Sequence, residues 1–132
     1  MNKAELKQKL KKYDYSYKEE FSAIIIKLDY SLEITVDFDD SEKVIIRDKL
    51  KSWNFLTGVW EMSIKSSLVL NIFLSAFYAA VLLFVNNFVN DFNYYKIMLV
   101  LYILAVCWLI LWTIFYLIKA ESVKILIQSW DK

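Results

Sequence analysis

The sequence predicts an α+β membrane protein in which a small N-terminal αβββ cytosolic domain precedes a two-helix transmembrane hairpin. Three observations predict it. Two long apolar runs carry no charge. The charges crowd into the front half. One stretch before the runs alternates strictly between apolar and polar residues.

The apolar runs come first because they decide the class. Residues 66–90 and 97–118 contain no Asp, Glu, Lys or Arg apart from those that flank them. A helix needs about 20 apolar residues to cross roughly 30 Å of hydrocarbon, and both runs are that long. We place the spans at about residues 67–89 and 97–118, within a hairpin unit of residues 66–118. A buried core helix of this length would need a large protein around it, and the remainder of the chain cannot supply one. The short connector predicts that the two helices run antiparallel.

Charge distribution supports the division. Residues 1–65 hold 12 Lys or Arg and 12 Asp or Glu. Residues 66–132 hold four basic and three acidic residues. The whole chain is 58% hydrophobic with a net charge of +1. The weak net charge argues against nucleic acid as a partner, because such binders carry a basic excess. Basic residues flank the outer ends of the spans (Arg47, Lys49, Lys51 and Lys65 before, Lys119, Lys124 and Lys132 after), whereas the connector has Lys96 alone. That bias predicts both termini in the cytoplasm and the connecting loop outside. The first twenty residues are mostly polar and show no secretory signal, so the first span is expected to act as the insertion signal.

The front domain is expected over residues 1–52. Residues 2–12 read as a helix, with Leu6 and Leu10 one turn apart and Glu5 four before Lys9. Residues 13–17 alternate but show no partner. Residues 21–28 are rich in Ile. In residues 30–38, Tyr30, Leu32, Ile34, Val36 and Phe38 share one face while Ser31, Glu33, Thr35 and Asp37 share the other, the pattern of a half-buried strand. Residues 39–42 read as a turn and 43–50 as a third strand. Such a small unit is marginal alone and is expected to lean on the membrane or on copies of itself. In residues 53–65, Trp53, Leu56, Trp60 and Ile64 recur at helical spacing, which predicts an interfacial amphipathic helix. Residues 119–132 are expected to extend the second span as a helical tail, with Val123, Ile127 and Trp130 making a further contact.

Candidate sites are few. Ser67, Asn71, Ser75, Tyr78 and Asn86 fall within about a third of the circumference of the first span at 100° per residue. Polar side chains in hydrocarbon face protein or water. The stripe therefore predicts bonds to the second span (Tyr102, Thr113 or Tyr116), contacts between chains, or a pore lining. Ala76 and Ala80, four apart, add a weak signal for close helix approach. Trp53, Trp60, Tyr94, Tyr95 and Trp130 are expected at the membrane interface, with Trp112 and Tyr116 near it. The acidic cluster Asp37, Asp39, Asp40 and Glu42 suits a solvated turn better than a calcium loop, which needs longer spacing and a glycine at its bend. Lys3, Lys7, Lys9, Lys11 and Lys12 form a basic helix that would either touch anionic headgroups or stay solvated.

Catalytic chemistry has no signature. Histidine and proline are absent, Cys107 is the single cysteine and Gly58 the single glycine. No phosphate-binding loop, nucleophile elbow or metal-ligand spacing occurs. The expectation is a non-enzymatic membrane protein without catalytic residues, cofactor or metal. Its cytosolic domain would sense or bind a ligand or protein, and its hairpin would anchor in the lipid bilayer and form a homo-oligomer. The alternative is a pore-forming or membrane-disrupting effector built from several copies.

Overall fold

The computed structural model describes residues 1–39, 44–88 and 92–131. Helix α1 (Lys3–Lys12) begins with a capping box. The Glu5 amide donates to Asn2 Oδ1 at 2.9 Å, and the Asn2 amide donates to Glu5 Oε2 at 3.1 Å. Two otherwise orphaned N–H groups are satisfied reciprocally. Strands β1 (Tyr17–Glu20), β2 (Ala23–Leu28), β3 (Leu32–Asp37) and β4 (Ile45–Leu50) follow. They form one antiparallel sheet in the order β1-β2-β3-β4. Helices α2 (Ile64–Asn86) and α3 (Phe92–Trp130) complete the chain.

The domain is therefore αββββ, one strand more than the sequence pattern predicts. The missed strand is YKEE, which pairs Tyr17 with Ile26 and Glu20 with Ala23. It lies at the sheet edge and its last three residues are exposed, so no apolar alternation marks it. Charged residues are a common way to blunt an exposed edge. The Glu19 carboxylate faces α1 and pairs with Lys3 and Lys7.

Register explains the core. Ile24 lies across from Val36, Ile26 from Ile34, and Leu32 from Leu50. Successive strand side chains point to opposite faces, so Ile24, Ile26, Leu32, Ile34, Val36 and Leu50 share one face, and all are buried. Against them pack Leu6 and Leu10 from α1 and Tyr116, Ala120, Val123 and Ile127 from α3. Glu33, Thr35 and Asp37 take the other face of β3, as the alternation predicts. Tyr30 departs from it. It sits in a 3₁₀ turn with φ +59°, and Ser31 follows at φ +63°. This left-handed backbone is uncommon for residues other than glycine. The turn expected at residues 39–42 falls largely outside the described residues.

Helices α2 and α3 contain 23 and 39 residues, and both are long and apolar enough to cross a membrane. At about 1.5 Å per residue they extend roughly 34 and 58 Å. The second far exceeds the roughly 30 Å of a hydrocarbon layer. Its surplus is the segment that enters the sheet core, so the tail expected at residues 119–132 is continuous with the second candidate span. The N-terminal end of α2 and the C-terminal third of α3 both meet the sheet, which stands at one end of the hairpin.

Residues 53–63 are not the expected helix. The Asn54–Gly58 and Leu50–Met62 bridges fold them into a compact loop. Trp53 and Gly58 both have positive φ, at +67° and +63°, which breaks helical backbone. Leu56 and Ile64 are buried, whereas Trp53 is 80% and Trp60 58% exposed. The helical spacing of these four residues is real in the sequence but not used.

Candidate functional site

The junction between sheet and hairpin concentrates the polar chemistry of this chain. It is built from β4, the loop of residues 51–62, the first turns of α2 and the middle of α3.

Asp48 sets the corner. The β4 register places it across from Ile34, on the buried face of the sheet. Its Oδ1 accepts from Lys124 Nζ on α3 at 2.9 Å, and its Oδ2 accepts from the Ile64 amide at 2.8 Å. Ile64 is the first residue of α2, behind the N-cap Ser63. A carboxylate here satisfies an orphan amide and meets the positive end of the helix dipole. Burial opposes the charge on Asp48, but the bonds from Lys124 and Ile64 outweigh it and hold the carboxyl below its ordinary value. Burial likewise disfavours the charge on Lys124, and its bonds to Asp48 and Glu121 more than offset that, raising the ammonium.

Asn54 organises the loop. Although polar, it is buried. Its Oδ1 accepts from the Leu56 and Thr57 amides at 2.9 and 2.8 Å. Its Nδ2 donates to the Lys51 carbonyl at 2.8 Å and to Thr57 Oγ1 at 2.9 Å. The loop then bonds to both helices. Asn71 Nδ2 of α2 donates to the Leu56 carbonyl at 3.1 Å. Trp108 Nε1 of α3 donates to the Phe55 carbonyl at 3.3 Å. The Phe55 amide donates to the Tyr116 hydroxyl at 3.2 Å, and that hydroxyl donates to the Tyr30 carbonyl at 2.7 Å. Phe55 stacks on Trp112 with centroids 4.0 Å apart, and the Tyr30 ring meets Phe55, Trp112 and Phe115.

The structure distributes the polar stripe of α2 along the inside of the hairpin. Ser67 is buried and donates to the Ile64 carbonyl of its own helix at 2.8 Å. Asn71 reaches the loop and not the other helix. Ser75 Oγ and the Tyr102 hydroxyl lie 2.9 Å apart, a bond between the helices. Tyr78 stacks on the Tyr102 ring at 5.5 Å. Asn86 lines a cavity of about 70 Å³ with Tyr94 and Tyr95 at the far end of the hairpin. Two larger open grooves, of about 520 and 460 Å³, are both lined by Asn71, Ser75 and Tyr102.

No protein-family model, curated protein or solved structure matches this chain. The junction has to be understood from its own geometry.

Other expected sites fall elsewhere. Trp130 lies within the sheet domain, stacked on Tyr13 at 5.3 Å, with its carbonyl accepting from Lys9 Nζ at 2.8 Å. It stands roughly 18 Å along α3 beyond Ile118, well past the end of the expected span. Tyr116 is fully buried in the core. Of the basic helix, Lys3 and Lys7 face Glu19 and Lys9 binds the end of α3, while Lys12 lies over the Tyr13 ring. Asp37 Oδ1 accepts from the Asp39 amide at 3.1 Å and from Ser22 Oγ at 3.3 Å. Asp40 and Glu42 lie outside the described residues.

Sequence reasoning missed Asp48, Lys124 and Asn54. The first two left a signal. Asp48 interrupts the inward row Ile46, Asp48, Leu50. Lys124 falls on the helical face that carries Ala120, Val123 and Ile127. Each is a charge on an apolar face, and charges so placed pair with one another. Asn54 left none, because apart from the Thr57 hydroxyl its partners are backbone groups that no residue type identifies.

Proposed function

We propose that this chain is a non-enzymatic integral membrane protein whose hairpin anchors a small cytosolic sensing or binding domain. The observation that carries the reading is the unbroken course of α3. One helix passes from the apolar hairpin into the core of the sheet domain, where Tyr116, Ala120, Val123 and Ile127 are buried. The domain is thus fused rigidly to its anchor, and a ligand or protein that shifts the sheet would also move α3. Large apolar side chains such as Phe73, Phe77, Leu83 and Ile103 lie exposed along the hairpin, as lipid contact requires. The excess of Lys beside the sheet end supports a cytoplasmic position for that end.

We further propose that hairpins associate in the bilayer, the two open grooves receiving helices of neighbouring chains. The pore reading is the weaker one. A pore needs the stripe on α2 to face water, yet Ser67, Asn71 and Ser75 all bond within the chain.

Alkaline carbonate extraction, the mass of the particle in mild detergent, and ion flux in liposomes test this together. We expect a carbonate-resistant protein, a particle of more than one 15.7 kDa chain and no flux. Release by carbonate would overturn the anchor. A monomeric particle would overturn association, and robust flux would favour the pore.

A further inference from the structure

The loop of residues 54–58 satisfies its own backbone completely. The Asn54 amide donates to the Gly58 carbonyl and the Gly58 amide to the Asn54 carbonyl, both at 3.1 Å. The Phe55 amide donates to Tyr116, and the Leu56 and Thr57 amides to Asn54 Oδ1. The Phe55 carbonyl accepts from Trp108, the Leu56 carbonyl from Asn71, and the Thr57 carbonyl from the Trp60 amide. Each N–H and each C=O in the stretch has a partner, although none of it is helix or strand. A surface loop in water has no need of this, because solvent caps what it leaves open. Hydrocarbon offers no such cap, and irregular backbone at membrane depth is tolerated only where protein groups satisfy it.

The side chains agree. Trp53, Val59 and Trp60 are all more than half exposed, and Phe55 is partly so. Residues 52–60 carry no charge. The charges lie at the neck of the loop, where Glu61 binds Lys49 at 2.9 Å and Lys51 at 3.2 Å. The loop also runs alongside the apolar hairpin. Its bond to Trp108 lies about 12 Å along α3 from Tyr116, and its bond to Asn71 about 10 Å along α2 from Ile64. Interfacial elements bury their apolar faces about 5–10 Å into the headgroup and acyl boundary.

We infer that residues 54–58 form a re-entrant loop seated in the headgroup–acyl boundary of a lipid bilayer, flanked by the exposed side chains of Trp53, Val59 and Trp60, with Asn71 and Trp108 capping two of its carbonyls. The inference rests on the membrane reading of α2 and α3. It gives Asn71 a role that is neither helix pairing nor pore lining, and it fixes how deep the hairpin sits. Trp53, Val59 and Trp60 enter lipid, while the neck charges stay at the surface.

The test uses the full chain in phosphatidylcholine vesicles. A nitroxide is attached at Val59→Cys, Lys18→Cys or Ile103→Cys in a Cys107→Ala background, and its collisions with oxygen and with a polar nickel chelate are compared. Lys18 lies in the sheet domain and Ile103 in the middle of α3. We expect Val59 to favour oxygen as Ile103 does, with Lys18 favouring the chelate. If Val59 behaves as Lys18 while Ile103 reports lipid, the loop inference is wrong and the anchor stands. If Ile103 also favours the chelate, the anchor reading fails and the loop inference with it. Should Val59→Cys not fold, a label at Trp60→Cys reads the same surface.

Discussion

Lys124 on α3 and Asp48 on β4 form an ion pair at 2.9 Å inside the apolar layer between helix and sheet. The same carboxylate holds the first amide of α2. One side chain therefore ties the last strand of the sheet to both helices of the hairpin. Most surface ion pairs contribute little, but these side chains are only 14% and 20% exposed.

Removing one partner of a buried pair leaves the other charged and alone, which typically costs about 3–5 kcal/mol. Partial exposure reduces that, so Asp48→Ala should lose about 2–3 kcal/mol. The double variant Asp48→Leu with Lys124→Met should recover most of the loss. Denaturant titration of the purified protein reads both, and equal losses in the single and double variants would refute the pairing.

The pair also sets a pH response. The carboxyl of Asp48 is depressed in the folded state. Its contribution is complete above the unfolded value of about 3.9 and is lost as pH falls through the folded one. Lys124 is raised. Its contribution is complete below about 10.4 and is lost as pH rises through its folded value. Stability should be flat between these limits, and the acid limb should shrink in Asp48→Asn. Glu61, lowered to about 2 by Lys49 and Lys51, titrates in the same acid range. It lies at the surface, so its share should vanish in high salt. Thermal melts from pH 2 to pH 6 in low and high salt separate the two.

Strand β3 gives a test of facing. Ile34 is completely buried between Ile26 and Asp48, whereas Thr35 points to the opposite face. Ile34→Ala should cost about 2–5 kcal/mol by opening a cavity. Thr35→Ala should stay within about 0.5 kcal/mol. Ile34→Asp should unfold the domain, while Thr35→Asp should be tolerated. Similar damage from the two aspartates would contradict the register.

Asn71 and Ser75 lie one turn apart but serve different contacts. Asn71→Leu leaves the Leu56 carbonyl without its donor, a loss of about 1–3 kcal/mol. It should loosen the loop, raising protease cleavage near Trp60, without changing the particle mass in detergent. Ser75→Ala removes the bond to Tyr102, for about 0.6 kcal/mol inside a bilayer. That change should leave the loop protected. A fall in particle mass with Asn71→Leu would place this side chain between chains.

Sidedness can be read chemically. In a Cys107→Ala background, a cysteine at Asn90 should react with an impermeant thiol reagent on intact cells, and one at Ser129 should not. The opposite pattern would invert the orientation.

Much of this fold was legible because its determinants are local. The candidate spans announce themselves by length and lack of charge. The helix at Lys3–Lys12 does so through Leu6 and Leu10, and through Glu5 four before Lys9. The central strand does so through Leu32, Ile34 and Val36, which sit against the core on one face. The edge strand was illegible because one neighbour and a solvated face impose no apolar period on YKEE. The candidate site was half legible. Tyr102 was one of three residues on the second span expected to bond the stripe, and it meets Ser75, while the partner of Asn71 is a backbone carbonyl in a loop that reads as a helix.

By itself the sequence determined which two segments form the long apolar helices and which strand residues turn inward, since length without charge marks the first and the burial period along the chain marks the second. Tertiary structure alone decided the rest. Tyr30 takes a left-handed turn because Tyr116, 86 positions later, bonds its carbonyl and aromatic neighbours enclose its ring. Residues 53–60 become a loop because the Asn54 side chain, with Trp108 and Asn71, satisfies backbone groups that a helix would otherwise satisfy itself. Asp48 stays charged on an apolar face because Lys124 arrives from the opposite end of the chain. Asn54 apart, the decisive partners are distant in sequence, and a buried polar group is stable only once its partner is in place.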